Sequence, residues 1–236
     1  MSNYCNSKYS IAVNSATSAL HNACLAIGLG KDDWLWTSPN SFVASANCGL
    51  YCGASVDFVD VNPDTALMSV NALESKLEQA KQQGKLPKIV IPVHLAGQSC
   101  DMKAISKLAK KYNFRIIEDA AHAFGSTYSD GTKVGSCKYS DMTIFSFHPV
   151  KSVATGEGGA ITTNSEENYQ KLLTLRNHGM IRDPEKFENN TLSQGSDGSI
   201  NSWYYELAQP GLNYRISDLH CALGTSQLSR LPTIVG

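Results

Sequence analysis

The chain has 236 residues, of which 42% are hydrophobic and 17% charged, with a formal net charge of -1, so it can hold one large folded unit or one with a partial second. Near-balanced charge without a basic or one-signed run argues against nucleic acid or a membrane surface as partner. No apolar run reaches the length of a membrane span and MSNYCNSKYS lacks the order of a signal peptide, so a cytoplasmic protein is expected.

YSIAV (Tyr9 to Val13) reads as a strand, and SATSALHNACLAIGL carries apolar residues at helical spacing. DWLWTSP is a second short strand, and NSFVASANCGLYCG is a small-residue helix expected to start at an Asn or Ser cap. SVDFVDV is a strand, followed by the polar-faced helix VNALESKLEQAKQQG that stops at Gly84. KIVIPVHL has the continuous apolar character of a buried strand. DMKAISKLAKKYN is an amphipathic helix capped by Asp101, and FRIIEDAA is a further strand with acids at its carboxyl end. This alternation predicts a mostly parallel sheet with helices on both faces.

MTIFSF and GGAITTN follow without a long helix between them, which predicts one reversed pairing in a mixed sheet. A helix from about Glu166 to Asn177 comes next, then DPEKFENNTLSQGSDGSINS, polar and rich in Gly, Ser and Asn, as a long exposed loop. RISDLHCALGTSQLSRL is again amphipathic. The seven cysteines are scattered, and the near pair Cys48 and Cys52 has no matching Cys or His pair for zinc. Buried, reduced thiols are expected instead.

In open α/β sheets ligands gather at the carboxyl ends of the strands, and three segments place reactive groups there. Asn14 to Ser18 opens a helix with small hydroxyl residues, which suits a phosphate or an ordinary cap. Asp119 ends the FRIIED strand, with His122 three residues on, and FSFHPVKSVATGEGG brings Ser146, His148 and Lys151 after another strand. Each group alone has a bland reading: a cap, a core histidine, a surface lysine. Together they match a pyridine ring that carries an aldehyde and a phosphate. The aldehyde needs a lysine amine, the ring nitrogen a carboxylate and the phosphate a helix N-terminus. The glycines at 156, 158 and 159 are expected to let the backbone turn tightly beside that ring. No G-x-G-x-x-G follows the first strand, which disfavours a dinucleotide-binding oxidoreductase.

The runs NSATSAL, PNSFVASAN, IIEDAAHAFGS, FSFHPVKSVATGEGGAITTN, LRNHGM and LNYRISDLHCALGTSQL resemble the sugar aminotransferases of the DegT/DnrJ/EryC1/StrS family. The resemblance implies an α/β fold, the aspartate-aminotransferase-like (type I PLP) large domain with a mixed, mostly parallel seven-stranded sheet between helices. It implies pyridoxal 5'-phosphate as cofactor, L-glutamate as amino donor, a UDP-linked keto-sugar as acceptor and a homodimer with shared active sites. The NSATSAL and SFHPVK wording is most similar to members that act on a UDP-linked 4-keto-6-deoxy sugar in pseudaminic acid synthesis.

Carried onto this chain, the resemblance makes Lys151 the Schiff-base lysine and proton shuttle, and Asp119 the partner of the pyridine nitrogen. Ala16, Thr17 and Ser146 hold the phosphate, Phe42 lies on the ring face and His122 sits near the phenolic oxygen. Asn213 reaches a phosphate in the neighbouring subunit. His148 and the Arg176-Asn177-His178 loop are either substrate contacts or structural. Family members carry an N-terminal segment before the first sheet strand and a small carboxyl-terminal domain, both expected to be missing here, so residues 1–236 are expected to be the large domain of a fragment. Two alternatives stay open: a fragment that binds the cofactor without full turnover, and a sugar dehydratase or lyase on the same scaffold. Related dehydratases replace the lysine by histidine, so Lys151 weighs against that version.

Overall fold

The computed structural model describes residues 1–235. A short helical turn, α1 (Ser2–Cys5), leads into β1 (Tyr9–Val13). Next comes α2 (Ala16–Ile27), which starts at Ser15, whose hydroxyl accepts the Ser18 N–H at 3.1 Å, and ends in left-handed Gly28. β2 (Trp34–Thr37), α3 (Ala44–Tyr51), β3 (Ser55–Phe58) and α4 (Val70–Gln83) follow, then β4 (Ile89–Ile91), α5 (Met102–Tyr112) and β5 (Arg115–Asp119). β6 (Met142–Ser146), β7 (Gly159–Thr163) and α6 (Glu166–Arg176) complete the main layers. The last part holds β8 (Met180–Ile181), α7 (Asn190–Ser193), β9 (Glu206–Leu207) and α8 (Asp218–Val235).

Seven strands form one sheet in the order β1-β7-β6-β5-β4-β2-β3. The neighbours from β3 through β6 are parallel, while β7 runs antiparallel to both β1 and β6. β7 is therefore the reversed strand that the absence of a crossover helix predicted.

Two apolar layers cover the sheet. Ile11, Val13, Leu35, Ile91, Ile117 and Ile144 face α2, α3 and α6 on one side. Trp36, Val90, Ile116 and Phe145 face α4, α5 and the segment from Ala120 to Val134 on the other. Because successive strand residues alternate faces, Asp119 shares the Ile117 face with Ser146 and Gly159, whereas Glu118 and Thr143 lie on the opposite face.

Local chemistry accounts for the departures from the sequence expectations. The KIVIPVHL strand is only three residues long, because Pro92 has no N–H to continue the ladder; its carbonyl instead accepts the Asp119 N–H at 3.0 Å. The expected Asn or Ser cap of α3 is absent: Val43 precedes the helix without a side-chain cap, and Asn40 bonds the Ala66 carbonyl at 2.8 Å. The polar stretch after Asp183 is exposed but organised. It contains a 3-10 turn (Pro184–Lys186) and α7, and the Glu206 carboxylate accepts the Glu188 and Asn189 N–H groups at 2.8 and 2.9 Å. Along α8, Leu231 is buried while Leu219 and Leu223 are exposed.

Glu118 lies fully buried beneath the carboxyl end of β5. Its oxygens accept from Tyr128 Oη and Thr143 Oγ1 at 2.9 Å and from the Ser140 hydroxyl, and His94 Nε2 lies 2.7 Å away. Burial pushes the carboxyl up, but the His94 contact and the hydroxyl donors outweigh it and hold it below the usual carboxylate value. This cluster anchors the strand whose next residue is Asp119.

Candidate active site

A cavity of about 400 Å³ opens at the carboxyl ends of β5 and β6, against the N-termini of α2 and α3. Its wall includes Ala16, Thr17, Phe42, Asp119, His122, Ser146 and Lys151, so seven of the eight expected site residues meet in one place. The eighth, Asn213, does not line this cavity. Its carbonyl accepts the Asn14 side-chain amide at 3.3 Å and its side chain is exposed, on a chain segment paired with Asn177.

The phosphate-like corner is built by α2. With Ser15 occupied by Ser18, the N–H groups of Ala16 and Thr17 find no acceptor among the described residues. The positive end of a 12-residue helix adds to their pull on an anion. Ser146 ends β6 beside them, paired in register with Gly159. A Cβ on Gly159 would lie 2.5 Å from Ser15 C and 2.6 Å from Ala16 N. Gly159 is thus a close-approach residue, and Gly158 has the same character, with Thr155 Oγ1 at 2.4 Å from its would-be Cβ. Of the three glycines expected to allow a tight turn, only Gly156 has a positive φ, at 82°.

Asp119 is almost fully buried. Ser45 Oγ donates to its Oδ2 at 2.5 Å and the Ala121 N–H to its Oδ1 at 3.1 Å, which fixes the carboxylate and leaves lone pairs for another donor. Ser45, on α3, was not among the expected site residues. Its signal was a hydroxyl one turn beyond Phe42 in a run of small residues.

Lys151 sits in the turn from Phe147 to Gly158, which is closed by Phe147 N to Gly158 O at 2.8 Å and Thr155 N to Phe147 O at 2.9 Å. The side chain is half-buried, and its Nζ makes no hydrogen bond among the described residues. Burial lowers its pKa below the usual lysine value, and the negative charge of Asp119 opposes that fall. Burial and the nearby Lys151 likewise depress His122, again opposed by Asp119. The Ala96 N–H points at His122 Nδ1 at 3.3 Å, so the neutral ring carries its proton on Nε2.

Phe42 is 73% exposed and Val150 78%, although both line the cavity. Two exposed apolar side chains at the wall of the cavity suit a flat ring that would cover them. His148 and Glu157 stand at the same wall, 4.0 Å apart and exposed. The Arg176-Asn177-His178 loop lies elsewhere and has structural partners. Arg176 Nη1 donates to the Ala12 carbonyl at 2.8 Å, Asn177 Oδ1 accepts from Arg215 at 2.6 Å, and His178 N–H bonds the Leu212 carbonyl at 3.0 Å.

The comparisons with known proteins agree with one another. The model of the DegT/DnrJ/EryC1/StrS aminotransferase family matches residues 1–236. A UDP-4-amino-4,6-dideoxy-N-acetyl-beta-L-altrosamine transaminase of Campylobacter jejuni is 41% identical over 230 residues, 97% of this chain and 54% of the relative. Among solved structures, Helicobacter pylori PseC, an aminotransferase involved in the biosynthesis of pseudoaminic acid, superposes with a TM-score of 0.81 at 30% identity, covering 98% of this chain and 56% of that one. NtdA from Bacillus subtilis, with bound cofactor PMP, gives 0.78 at 30% identity, over 98% of this chain and 46% of that one. The chain spans about half the length of the curated relatives it matches.

Proposed function

The chain belongs to the DegT/DnrJ/EryC1/StrS aminotransferase family, and from that premise we propose that it is the cofactor-binding large domain of a pyridoxal 5'-phosphate-dependent sugar aminotransferase. It moves the amino group of L-glutamate to C4 of a UDP-linked 4-keto-6-deoxy sugar, serves pseudaminic acid synthesis, and acts in the cytoplasm as a homodimer. The observation that carries the proposal is the meeting of Lys151, Asp119, Ser146 and the α2 N-terminus in one cavity. The likeness to the Campylobacter jejuni transaminase supports the choice of sugar.

The residues fit the cofactor. A phosphate would take the free Ala16 and Thr17 N–H groups and the Ser146 hydroxyl, and the Asp119 carboxylate would face a protonated ring nitrogen. Phe42 would cover one ring face, and the His122 Nε2–H is available to the phenolic oxygen. Asn213 would serve the phosphate of the neighbouring subunit. When bound, the cofactor supplies an aldehyde for amine exchange and an electron sink for the substrate carbon.

The chain's own part is nucleophilic and acid–base work. Lys151 is shifted toward its neutral form by burial, which makes its amine a competent nucleophile. The same amine, once free, takes the proton from the donor's α-carbon and returns it at the other end of the transfer. Asp119 has two tasks in tension: it balances a ring cation, yet its charge also raises the Lys151 pKa. Ser45 and Ala121 hold it where the first task is served. His148 and Glu157 line the cavity and would meet the substrate there.

The test is a half-reaction followed by absorbance. The cofactor-loaded protein mixed with L-glutamate should lose its visible band and release 2-oxoglutarate, and a UDP-linked keto-sugar should then restore the band and yield an amino-sugar. Stable cofactor binding with no response to glutamate would reject transamination by this chain and favour the impaired reading. Release of ammonia or water from the sugar without an amino-sugar product would favour a lyase.

A further inference from the structure

We propose that His94 is a positioning residue for the cavity: its buried contact with Glu118 holds the turn from 94 to 97, where the Ala96 N–H keeps the His122 proton on Nε2. The inference rests on the cofactor reading for its consequence, and on the chain's own bonds for its substance. His94 follows β4 and is fully buried, as is Glu118. Its Nε2–H donates to Glu118 Oε2 at 2.7 Å, and the Cys100 N–H meets its Nδ1 at 3.2 Å. Both ring nitrogens are engaged, so turning the ring would strand buried polar groups. Glu118 is gripped in turn by the hydroxyls of Tyr128, Ser140 and Thr143.

From this anchor a chain of bonds leads to the cavity. The His94 N–H donates to the Asp119 carbonyl at 3.0 Å, beside the Val93–Asp119 bridge that prolongs the pairing of β4 with β5. The His94 carbonyl then accepts the Gly97 N–H at 3.2 Å and closes a 3-10 turn (Leu95–Gly97). Ala96 lies inside that turn with φ 53° and ψ 21°, and it is exposed. A residue with a Cβ keeps this left-handed conformation only where its surroundings impose it. The conformation presents the Ala96 N–H to His122 Nδ1 at 3.3 Å. At the far end of the turn, Ser126 Oγ donates to the Gly97 carbonyl at 2.8 Å. A Cβ on Gly97 would lie 3.1 Å from the His122 carbonyl oxygen, so the turn and the His122 segment are also in close contact.

A neutral imidazole has two tautomers, and the bond made by one nitrogen decides which of them is present. With Nδ1 accepting from Ala96, His122 carries its proton on Nε2, on a ring that lines the cavity. That proton is the donor a phenolic oxygen needs; the opposite tautomer would offer it a lone pair. The bland reading of His94 and Glu118, a core pair that adds only stability, accounts for their burial. It does not account for a left-handed alanine held against a residue of the cavity wall.

The apoprotein labelled with 15N-histidine is observed by NMR at pH 8, where burial and Lys151 leave His122 neutral, and His122→Gln identifies its signals. The wild type should show the His122 proton on Nε2 alone. His94→Phe, which fills the space without the donor, should give a mixture of both tautomers. His94→Gln, whose amide can still donate to Glu118, should keep the wild-type pattern. Affinity for pyridoxal phosphate, read by fluorescence titration, should fall about tenfold in His94→Phe and recover in His94→Gln. Where His94→Phe does not fold, Ser126→Ala loosens the same turn with the buried pair intact and should mix the tautomers likewise. The proposal is overturned by a wild-type His122 with its proton on Nδ1. It is overturned equally by a folded His94→Phe protein, or in its place Ser126→Ala, that melts lower with the His122 pattern unchanged. The tautomer is read without cofactor, so a chain that passes yet takes no pyridoxal phosphate would reject the cofactor site and not the role of His94.

Discussion

Gly159→Ala gives the sharpest view of how the fold builds the phosphate corner. The new Cβ would sit 2.5 Å from Ser15 C, 2.6 Å from Ala16 N and 2.7 Å from Ser15 O, and ordinary contact begins at 3.4 Å. The α2 N-terminus and β7 must therefore part by about 0.9 Å, the difference of 3.4 and 2.5. Neither side is a flexible side chain: β7 is held on both edges by β1 and β6, and Ser15 caps α2. Overpacking of this kind costs about 1–3 kcal/mol, or about 2–12 °C in melting temperature for a domain of this size. The loss at the site should be larger in proportion. Each charge-assisted hydrogen bond from Ala16 or Thr17 to a phosphate contributes about 1.5–3 kcal/mol, so misplacing one weakens cofactor binding roughly 10- to 150-fold. Fluorescence titration of the apoprotein with pyridoxal phosphate, beside a thermal melt, reads both effects. A variant that melts lower but binds the cofactor with wild-type affinity would refute the link between this close approach and the anion site.

Ser45→Ala removes the 2.5 Å hydrogen bond to Asp119, and cofactor affinity in the same titration should drop about tenfold while Ser45→Thr retains it. For Lys151, burial places the folded pKa below the ordinary 10.5, so the neutral amine gains ground at lower pH. Competitive acylation of the apoprotein should give a titration midpoint under that value. Asp119→Asn should move it lower still, since Asp119 is the group that raises it; an upward move would contradict the assignment. Glu118→Ala breaks a fully buried pair with His94, and a melt should show a loss of about 3–5 kcal/mol. With its folded pKa depressed, Glu118 contributes fully above the ordinary 4.5 and loses that contribution as pH falls through the folded value, so the variant's deficit should shrink in acid.

Much of this arrangement was legible in the sequence because the physical signals are local. YSIAV became β1 with the same ends, and Gly84 and Asp101 terminate and cap their helices as the residue types dictate. The absence of a crossover helix between TIFS and GAITT foretold β7's reversed direction. Seven expected site residues line one cavity because strand parity puts Asp119 and Ser146 on one face, where α2 and α3 begin. What stayed hidden depends on long-range contacts. Ser45 is 74 residues from the carboxylate it holds, and a hydroxyl one turn beyond Phe42 does not by itself name that partner. Gly158 and Gly159 look like turn glycines in sequence, but they are required by neighbours that only the fold brings near. The bonds of the Arg176-Asn177-His178 loop to Ala12, Leu212 and Arg215 join parts of the chain that only the fold brings near. The Glu118 network was not read at all, since an acid pair at a strand end does not tell which carboxylate faces which layer.

Reduction of the cofactor-treated protein with borohydride, followed by peptide mass spectrometry, puts the central claim to the most direct trial. A phosphopyridoxyl group on Lys151, absent from the other lysines and lost in Lys151→Ala, is the expected result. Its appearance on a different lysine, or a scatter over many with Lys151 unmarked, would contradict the assignment of this cavity to the cofactor.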